Sequence, residues 1–305
     1  MKSVLVTGAY GFLGRNIAKE FKKNGYYVSG IGHGKWHKDQ YTMWGIDSWH
    51  ESTITFEALL NIKQKFDIIV HCGGSGSVAF SRENPYEDYQ KSVQSTISLL
   101  EYIRLQNQGC KFIYPSSPAV QGNLGNVPIT EEMIEMPVSP YGFHKRIAED
   151  LCLSYSRNFN IDIGIIRYFS IYGDGLQKQL LWDACKKINS LETVVFFGTG
   201  SETRDWIHVL DAVNLLYLFS QQLNGYQIIN GGCGETTSIN VIVNFLKELF
   251  DKQVSISFNG VTKEGDPLHF WADTTKASLI GWKPTVNLWD GLRSYVNYFR
   301  DLKHD

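Results

Sequence analysis

Short apolar runs alternate with longer amphipathic stretches through the first half of the chain. An apolar run of about four to eight residues predicts a buried strand, and apolar residues that recur every three or four positions predict a helix with one packed face. The pattern predicts strands at 3–7, 26–32, 41–47, 66–72, 111–117 and 162–169, and helices at 12–25, 56–65, 88–106 and 141–159. Because strands alternate with helices, we expect an α/β fold whose doubly wound parallel sheet carries helices on both faces.

The second half of the chain has a less regular pattern that is richer in glycine and aromatic residues. It predicts two further helices, at 205–223 and 239–250. We therefore predict two units along the chain. The first is a sheet domain at 1–169, to which 204–232 returns, and the second is a smaller α/β lobe at 170–305.

Charge and cysteine content exclude several classes of protein. Among the 305 residues, 29 Lys and Arg stand against 31 Asp and Glu, which gives no overall attraction to nucleic acid or to an anionic membrane. No stretch approaches the ~20 apolar residues that cross a bilayer. The five cysteines show no CxxC spacing, so we expect free thiols and a cytoplasmic protein. The eight histidines show no metal-binding spacing, and no metal site is predicted.

Three glycines follow the first predicted strand and open the first predicted helix. Gly8 permits a tight turn, Gly11 lets the backbone approach a pyrophosphate, and Gly14 lets the helix pack closely on the strand. The first helical residues, Phe12 and Leu13, carry amide groups without helical partners, at the positive end of the helix dipole. This loop predicts a dinucleotide-binding site.

A tyrosine and a lysine stand four positions apart in YGFHK, on one face of the predicted helix 141–159. A free tyrosine has a pKa of ~10 and is a poor base near neutrality. The ammonium group of Lys145 and the charge of a nicotinamide would favour the phenolate of Tyr141. Tyr141 could then exchange a proton with a hydroxyl or carbonyl group of a substrate. We interpret His144, in the same motif, as a helix residue that faces away from Tyr141.

Four motifs resemble, in order along the chain, those of the extended short-chain dehydrogenase/reductase superfamily: TGAYGFLG (7–14), YPSSPAVQG (114–122), YGFHK (141–145) and GTGSETRDWIHVLDA (198–212). The resemblance is to the NAD-dependent epimerase/dehydratase family, which modifies nucleotide sugars. It implies a Rossmann-type fold, a nicotinamide dinucleotide, a nucleotide-diphosphate-sugar substrate, and a homodimer formed through the helices at 88–106 and 141–159.

The resemblance also assigns roles to individual residues. Ser117, at the end of a predicted strand, would hold the reacting oxygen for Tyr141, and Lys145 would bind the nicotinamide ribose. These three residues are the predicted catalytic set. The remaining assignments are Cys72, Gly73 and Gly74 for the cofactor, and Ser75, Ser116, Ser117, Ser170, Arg204 and Lys263 for the substrate.

The chain departs from the family pattern at several positions. Gln121 replaces a tyrosine in the segment after Ser117, Ser92 and Ser170 replace asparagines, and Lys263 replaces an arginine. Lys263 could still bring a positive charge to a diphosphate, without the bidentate fork of arginine. The resemblance implies that the change at Gln121 reshapes the sugar pocket and that the change at Ser170 alters a contact with the substrate.

The end of the second predicted strand lacks the acidic residue that binds an adenosine ribose in many dinucleotide proteins. GIGHGKWHK instead has Gly32 followed by His33, Lys35 and Lys38, which could attract a 2′-phosphate. A solvated basic loop is the alternative interpretation. We assign His33 and Lys35 to the cofactor site, together with Asp47 at the end of the third predicted strand. This favours NADP(H), with NAD(H) possible.

Several reactions share this scaffold, and the residues narrow the choice. The 4,6-dehydratases of the family carry Asp-Glu directly after the catalytic serine, where this chain has Pro118-Ala119, so dehydration is disfavoured. The favoured interpretation is an NADPH-dependent 4-ketoreductase or 4-dehydrogenase, and the alternative is an NAD-dependent C4 epimerase. A non-catalytic NAD(P)-binding regulator ranks third, because Ser117, Tyr141 and Lys145 are all present. The nucleotide, the sugar and the direction of reaction stay open.

Overall fold

The structure, a computed structural model, describes residues 1–261 and 268–302. Within these residues the strands are β1 (Ser3–Thr7), β2 (Tyr27–Gly32), β3 (Ser48–Glu51), β4 (Ile68–His71), β5 (Lys111–Ser116), β6 (Ile163–Tyr168), β7 (Ser170–Tyr172), β8 (Thr193–Phe196), β9 (Thr203–Arg204), β10 (Trp206–His208), β11 (Tyr226–Gly231), β12 (Thr237–Ser238), β13 (Ser255–Phe258) and β14 (His269–Phe270).

The helices are α1 (Phe12–Lys23), α2 (Lys38–Met43), α3 (Phe56–Leu60), α4 (Val78–Glu83), α5 (Pro85–Tyr89), α6 (Ser95–Gln106), α7 (Pro140–Phe159), α8 (Gln179–Ser190), α9 (Val209–Gln222), α10 (Ile239–Phe250), α11 (Thr275–Leu279) and α12 (Leu288–Asp301). A π-helical turn at Gln90–Gln94 joins α5 to α6, and a 3₁₀ turn at Pro118–Val120 follows β5.

Seven of the strands form one parallel sheet in the order β11-β6-β5-β4-β1-β2-β3. Every neighbouring pair in this sheet is parallel. The sheet grows outward from β1 in both directions, which is the doubly wound arrangement, and the predicted fold class is confirmed. The central strands are buried along their length, as expected for strands between two helical layers.

Alternate residues of β1 face the two helical layers. Val4 and Val6 lie in an apolar core with residues of α1 and α9, whereas Leu5 lies in a second core with residues of α6 and α7. Full burial of one such side chain stabilises the fold by ~1.5–3 kcal/mol. A strand with three consecutive apolar residues therefore anchors helices on both faces, as its sequence predicts.

The long helix α7 has a defined start and end. The side chain of Ser139 caps it by accepting a hydrogen bond from the amide of Gly142 at 3.2 Å, and Pro140 takes the first helical position. Asn160, with a φ of 55°, ends the helix in the left-handed region. A Cβ on Gly142 would clash with the carbonyl oxygen of Ala119, so the start of α7 lies directly against the turn after β5.

The predicted third strand at 41–47 is wrong. Those residues form the end of α2 and a connection, and the third strand is β3 at Ser48–Glu51. The carboxylate of Asp47 accepts a hydrogen bond from the amide of Val28 at 2.8 Å and pairs with Lys22 at 2.6 Å. This anchor fixes the chain just before β3, so pairing with β2 begins at Ser48.

Three predicted helices have different boundaries in the structure. The helix predicted at 56–65 ends at Leu60, and the one predicted at 205–223 begins at Val209 because 206–208 forms β10. The helix predicted at 88–106 begins earlier, at Pro85, and its π-helical turn shifts the face that it presents. A single apolar period therefore could not describe this helix.

The chain after residue 170 forms small sheets and a separate apolar core. β7 pairs with β10, β8 with β13, and β9 lies between β12 and β14. Helices α8, α10 and α12 pack around Tyr172 and Trp206. Strand β11 instead returns to the edge of the main sheet beside β6. Among the described residues, no helix has the length and apolar character required to cross a membrane.

Candidate active site

The glycine loop, the end of β5 and the start of α7 meet at one edge of the main sheet. Strands β1, β4 and β5 are parallel neighbours, so the segments that follow them leave the sheet side by side. Ligands of doubly wound sheets bind at this carboxyl-terminal edge. Most of the predicted site residues lie on these segments.

The first and third glycines of the loop hold it close to its neighbours. Gly8 has a φ of 63°, and a Cβ there would lie 2.7 Å from the carbonyl oxygen of Cys72 at the end of β4. A Cβ on Gly14 would clash with the carbonyl group of Gly8. Any side chain at either position would push the loop away from β4 or α1.

The second glycine leaves the start of α1 open. Gly11 is the N-cap residue and offers no side-chain hydrogen bond to the helix. The amides of Phe12 and Leu13, the first residues of α1, therefore keep their hydrogens for an outside acceptor. A tight glycine turn followed by an uncapped helix start fits the pyrophosphate of a nicotinamide dinucleotide.

The predicted catalytic residues come together at the start of α7. Ser117 and Tyr141 line the same cavity, and Ser117 is near enough to lower the pKa of the Tyr141 hydroxyl group. The hydroxyl group of Ser117 accepts a hydrogen bond from the amide of Ala119 at 3.2 Å. The ammonium group of Lys145 lies 5.9 Å from the centre of the Tyr141 ring and donates a hydrogen bond to the carbonyl oxygen of Pro115 at 3.0 Å. The helical spacing thus brings both side chains to the end of β5.

Burial dominates the ionisation of this pair. It raises the pKa of Tyr141 to about 12, although the hydroxyl group of Ser117 lowers that pKa. Burial also lowers the pKa of Lys145 to about 8. The sequence led us to expect a lowered pKa for Tyr141, and the direction is the opposite one. On its own the chain keeps Tyr141 protonated, ready to donate a hydrogen bond or a proton.

A buried histidine supports the floor of the site. His71, at the end of β4, is fully buried and bonds Thr7 at 2.7 Å through one ring nitrogen and Ser95 at 3.0 Å through the other. Burial lowers the pKa of His71 to about 3, so the ring is neutral. The hydroxyl group of Thr7 also accepts a hydrogen bond from the amide of Gly73 at 3.3 Å. These bonds tie the ends of β1 and β4 to α6.

The loop 73–77, which follows β4, contacts both the catalytic helix and the lobe. Ser75 donates a hydrogen bond to the buried carboxylate of Asp88, and the other oxygen of that carboxylate lies 2.5 Å from Nδ1 of His144. A Cβ on Gly76 would lie 3.7 Å from the ammonium group of Lys178, at the start of α8. His144 therefore has a specific buried partner, which its sequence context did not indicate.

The basic loop after β2 is held by an aromatic side chain rather than by its charges. His33 and Lys35 are exposed. Between them and α2, the ring of Trp36 packs edge-on against Tyr10 of the glycine loop at 5.1 Å and against Trp49 at 5.3 Å. The loop thus folds back over the glycine loop, with both basic side chains on its outer side.

Asp47, assigned to the cofactor site from the sequence, lies at the other end of the sheet. Its carboxylate binds the amide of Val28, which is four residues before the end of β2. At ~3.3 Å per residue, four residues of a strand span ~13 Å. The structure therefore does not bring Asp47 to the glycine loop, and its role is to connect β2 and β3.

The predicted substrate residues separate into two groups. Ser116 is buried and faces Glu149 in the interior, away from the opening. Ser170 begins β7, and its amide donates to the carbonyl oxygen of Asp205, so it lies beside the segment that carries Arg204. Arg204 donates a hydrogen bond to the carbonyl oxygen of Thr203 at 2.8 Å. Lys263 lies outside the described residues.

A cavity of about 100 Å³ opens beside the catalytic hydroxyl groups of Ser117 and Tyr141. Most of its wall is apolar and comes from Val78, Ala119, Val138 and Phe270. The cavity joins the end of β5, the start of α7 and the lobe. Part of a substrate could bind in this space, next to the predicted reacting groups.

The five cysteines are free thiols, as the sequence predicts. Burial raises the pKa of Cys72, next to the glycine loop, to about 12, so it is not a thiolate near neutrality. Within residues 1–261 and 268–302, no three His, Cys, Asp or Glu side chains come together as a metal site.

Sequence reasoning missed His71, Asp88 and Trp49. His71 could have been noticed, because a polar residue that ends a buried strand needs a partner. Asp88 and Trp49 carry no such signal, since their partners His144 and Gly32 are distant in the chain. These contacts exist only once the helices pack on the sheet.

Comparisons with known proteins agree with this geometry. The model of the NAD-dependent epimerase/dehydratase family matches residues 4–232. The UDP-glucuronate 4-epimerase of Thermodesulfobacterium geofontis is 28% identical over 316 residues, which cover 97% of this chain and 96% of that protein. The structure of the Bacillus cereus UDP-glucuronic acid 4-epimerase with UDP-glucuronic acid and NAD has a TM-score of 0.88, at 28% identity, with 98% of this chain and 99% of that chain covered. The Thermotoga maritima UDP-glucose 4-epimerase with UDP-glucose has a TM-score of 0.86, at 27% identity and 98% coverage of both chains.

Proposed function

This chain belongs to the NAD-dependent epimerase/dehydratase family, and we propose that it is a UDP-sugar 4-epimerase that works with bound NAD. The observation that carries the proposal is the set of Ser117, Tyr141 and Lys145 beside an open glycine loop. The enzymes named above are 4-epimerases of UDP-sugars, and one of those structures holds NAD. They favour the epimerase, which the sequence left as the alternative, over the ketoreductase.

In the proposed reaction, Tyr141 moves a proton at the C4 oxygen of the sugar. It takes the proton of the C4 hydroxyl group during oxidation and returns it during reduction. Ser117 donates a hydrogen bond to the same oxygen and keeps it within reach of Tyr141. NAD, when bound, supplies the hydride acceptor and donor for carbon C4, so that no net oxidation occurs.

Lys145 supports the proton transfer through its charge. Its ammonium group lies near Tyr141, and a nearby positive charge favours the phenolate over the neutral phenol. Burial lowers the pKa of Lys145 to about 8. This value is still above 7, so most of the Lys145 side chains keep their positive charge at neutral pH. The same ammonium group is placed to bind the hydroxyl groups of a ribose.

NAD is the cofactor that we propose, although the sequence favoured NADP(H). The supporting facts are the exposed positions of His33 and Lys35 and the packing of Trp36 on Tyr10. No phosphate pocket is gathered around these two basic side chains in the described structure. The coarser assignment, a nicotinamide dinucleotide, follows from the family.

The decisive experiment examines both cofactor and turnover. The purified protein is denatured gently and its released ligands are identified by mass spectrometry. Separately, the native protein is incubated with UDP-glucose or UDP-glucuronate without added dinucleotide, and the product is followed by NMR. We expect released NAD and formation of the C4 epimer, with Tyr141→Phe as the inactive control. Reduction of a 4-keto sugar that consumes one NADPH per turnover would contradict the epimerase and establish the ketoreductase.

We further propose that the sheet domain at 1–169, with 204–232, binds the dinucleotide, and that the lobe at 170–305 binds the nucleotide sugar.

We also propose a homodimer through α6 and α7. Phe143 and Ile147, one turn apart on α7, are 50% and 40% exposed. At the other end of α7, Phe159 is 46% exposed and lies beside Leu105 of α6, which is also 46% exposed. Exposed apolar side chains along two neighbouring helices are typical of an interface between copies. Light scattering of the wild type and of Phe143→Glu tests this, since a monomeric wild type would contradict it.

A further inference from the structure

A buried carboxylate next to the catalytic helix has no assigned role. Asp88, on α5, is 0% exposed. One carboxylate oxygen accepts a hydrogen bond from the hydroxyl group of Ser75, and the other lies 2.5 Å from Nδ1 of His144. Asp88 therefore bridges the loop after β4 and the helix that carries Tyr141.

The partners of Asp88 explain how a negative charge can be buried there. A buried carboxylate costs several kcal/mol unless donors or an opposite charge satisfy it. Ser75 donates to one oxygen of the carboxylate, and the imidazole of His144 donates to the other from Nδ1. The carboxylate therefore lies between Ser75 and His144, which is not the order of a nucleophilic triad, where the imidazole lies beside the serine.

The pair lies close to the reacting groups in both sequence and space. His144 is three positions after Tyr141 and directly before Lys145 in α7. The ring of His144 packs edge-on against Tyr89 at 5.7 Å, which fixes its orientation. After burial and the hydroxyl group of Ser117, the charge of Asp88 is the next cause that shifts the pKa of Tyr141, and it raises that pKa.

The loop 73–77 contains glycines, so the hydrogen bond from Ser75 to Asp88 is important for holding it in one position. Gly74 and Gly76, on either side of Ser75, have φ values of 146° and 60°. Glycine-rich segments lose ~1–2 kcal/mol of backbone entropy per residue when they become ordered. The loop 73–77 separates the glycine loop from the lobe, because the amide of Gly73 bonds Thr7 and Gly76 faces Lys178. Its position therefore affects the cleft between cofactor and substrate.

We propose that Asp88 and His144 form a positioning pair that fixes the loop 73–77 against the catalytic helix and balances charge beside Tyr141. The carboxylate accepts one hydrogen bond from Ser75 and another from Nδ1 of His144, and these bonds compensate its charge. Without His144, the carboxylate would be less compensated and would oppose formation of the Tyr141 phenolate more strongly. The inference goes beyond the epimerase reaction, although its kinetic test rests on the proposed function.

Other titratable groups face the same region and share its field. Lys145 on α7 lies 4.4 Å from the centre of the Tyr114 ring on β5. Burial lowers the pKa of Lys145, and the negative charges of Glu149 and Asp88 raise it. Tyr89 on α5 and Lys178 of the lobe face the same region, and burial lowers the pKa of Lys178. Asp88 changes in one of the variants below and the other groups change in none of them, so the contribution of the other groups is common to all of the proteins compared.

The kinetic test measures kcat/KM for epimerisation against pH in Asp88→Asn and His144→Asn. Asparagine at 144 keeps a donor near the position of Nδ1 but carries no charge. We expect the acidic limb of the plot of kcat/KM against pH to shift to lower pH by about 0.5 unit or more in Asp88→Asn. In His144→Asn it should shift to higher pH by a similar amount. A purely structural role would lower kcat in both without opposite shifts. The matched control is Glu87→Gln, next to Asp88 but exposed and paired with Lys91, which should leave the limb in place.

The loop test needs no turnover. Hydrogen–deuterium exchange of residues 73–77 should be about tenfold faster or more in Ser75→Ala and Asp88→Asn than in the wild type or Glu87→Gln. Ser75→Ala and His144→Asn decide the matter if Asp88→Asn fails to fold. Unchanged exchange rates of residues 73–77 would overturn the proposal. So would acidic limbs that shift in the same direction in Asp88→Asn and His144→Asn, or that do not shift. If the wild type epimerises no sugar, the epimerase proposal fails, but the Asp88–His144 pair can still be tested. The exchange rates of the loop are one such test. The other is an absorbance titration of Tyr141 in each variant, with Tyr141→Phe as the blank that identifies its signal.

Discussion

The indole ring of Trp49 occupies the space beside Gly32 in which an acidic side chain would stand. A Cβ on Gly32 would lie 3.3 Å from Cη2 of Trp49, and a Cβ on Gly30 would lie 3.0 Å from Cε3 of the same ring. The indole N–H also donates a hydrogen bond to the carbonyl oxygen of Gly34 at 3.2 Å. The missing acid at the end of β2 is therefore a consequence of packing by β3.

This packing predicts coupling between the two residues. Gly32→Asp should destabilise the protein by ~1–3 kcal/mol, because the new side chain overpacks the space beside Trp49. In a Trp49→Ala background, the cost of the same change should fall by about 1 kcal/mol or more. Denaturant unfolding of the four proteins measures both values. Equal costs in the two backgrounds would contradict the steric explanation.

Tyr141 should be required for chemistry but not for binding. Tyr141→Phe should lower kcat by about 10²–10⁴-fold, because phenylalanine cannot exchange a proton with the sugar oxygen. The amount of dinucleotide that co-purifies should stay the same. Tyr155→Phe is the matched control, since that tyrosine lies on the same helix and bonds Glu101 at 3.0 Å, away from the site. Near-normal turnover by Tyr141→Phe would remove the residue from the mechanism.

Arg204 should act on substrate affinity. Arg204→Ala should raise KM for the UDP-sugar by about tenfold or more with a smaller effect on kcat, because charge-assisted hydrogen bonds to a diphosphate contribute ~1.5–3 kcal/mol. The change should leave the neighbouring Asp205 in place, since that carboxylate accepts hydrogen bonds from the amides of Cys233, Gly234 and Ala272 at 2.6, 2.9 and 3.0 Å. Arg293→Ala, on the exposed face of α12, is the control. A KM equal to that of the control would rule out the role.

His71 should make the protein sensitive to acid. Burial lowers its pKa to about 3 from the ordinary value of 6.5. Below pH 6.5 the unfolded chain binds a proton that the folded state refuses, so stability falls with pH until about pH 3. From pH 6.5 to 5 this one group should remove ~2 kcal/mol of unfolding free energy. Comparison of the wild type with His71→Gln isolates the effect, and parallel stability curves would show that His71 does not cause it.

The elements that the sequence predicted well are those fixed by local pattern. The six predicted strands include β1, β2, β4, β5 and β6, and these overlap closely with the structure because each is a short buried run. The third prediction failed because the residues at 41–47 have the apolar content of a strand, whereas Asp47 binds Val28 and delays pairing until Ser48. A hydrogen bond between distant residues decided that boundary.

The grouping of the predicted catalytic residues was predictable for the same reason. Tyr141 and Lys145 share a face because a helix places residues four apart together, and the glycine loop follows β1 directly. The ionisation of these residues was not predictable, because burial, which the sequence does not give, is the largest cause of the raised pKa of Tyr141. Nor was the identity of the reaction, since the ketoreductase and the epimerase use the same three side chains.

By itself, the sequence determined the alternation of strands and helices, the glycine loop and the spacing of Tyr141 and Lys145. Each of these depends on residues a few positions apart, whose geometry the backbone fixes. Only the tertiary structure decided that Trp49 excludes an acid at Gly32, that Asp88 pairs with His144, and that Asp47 stays outside the site. Those contacts join segments that are far apart in the chain, and they form because packing helices on the sheet removes water from both partners at once.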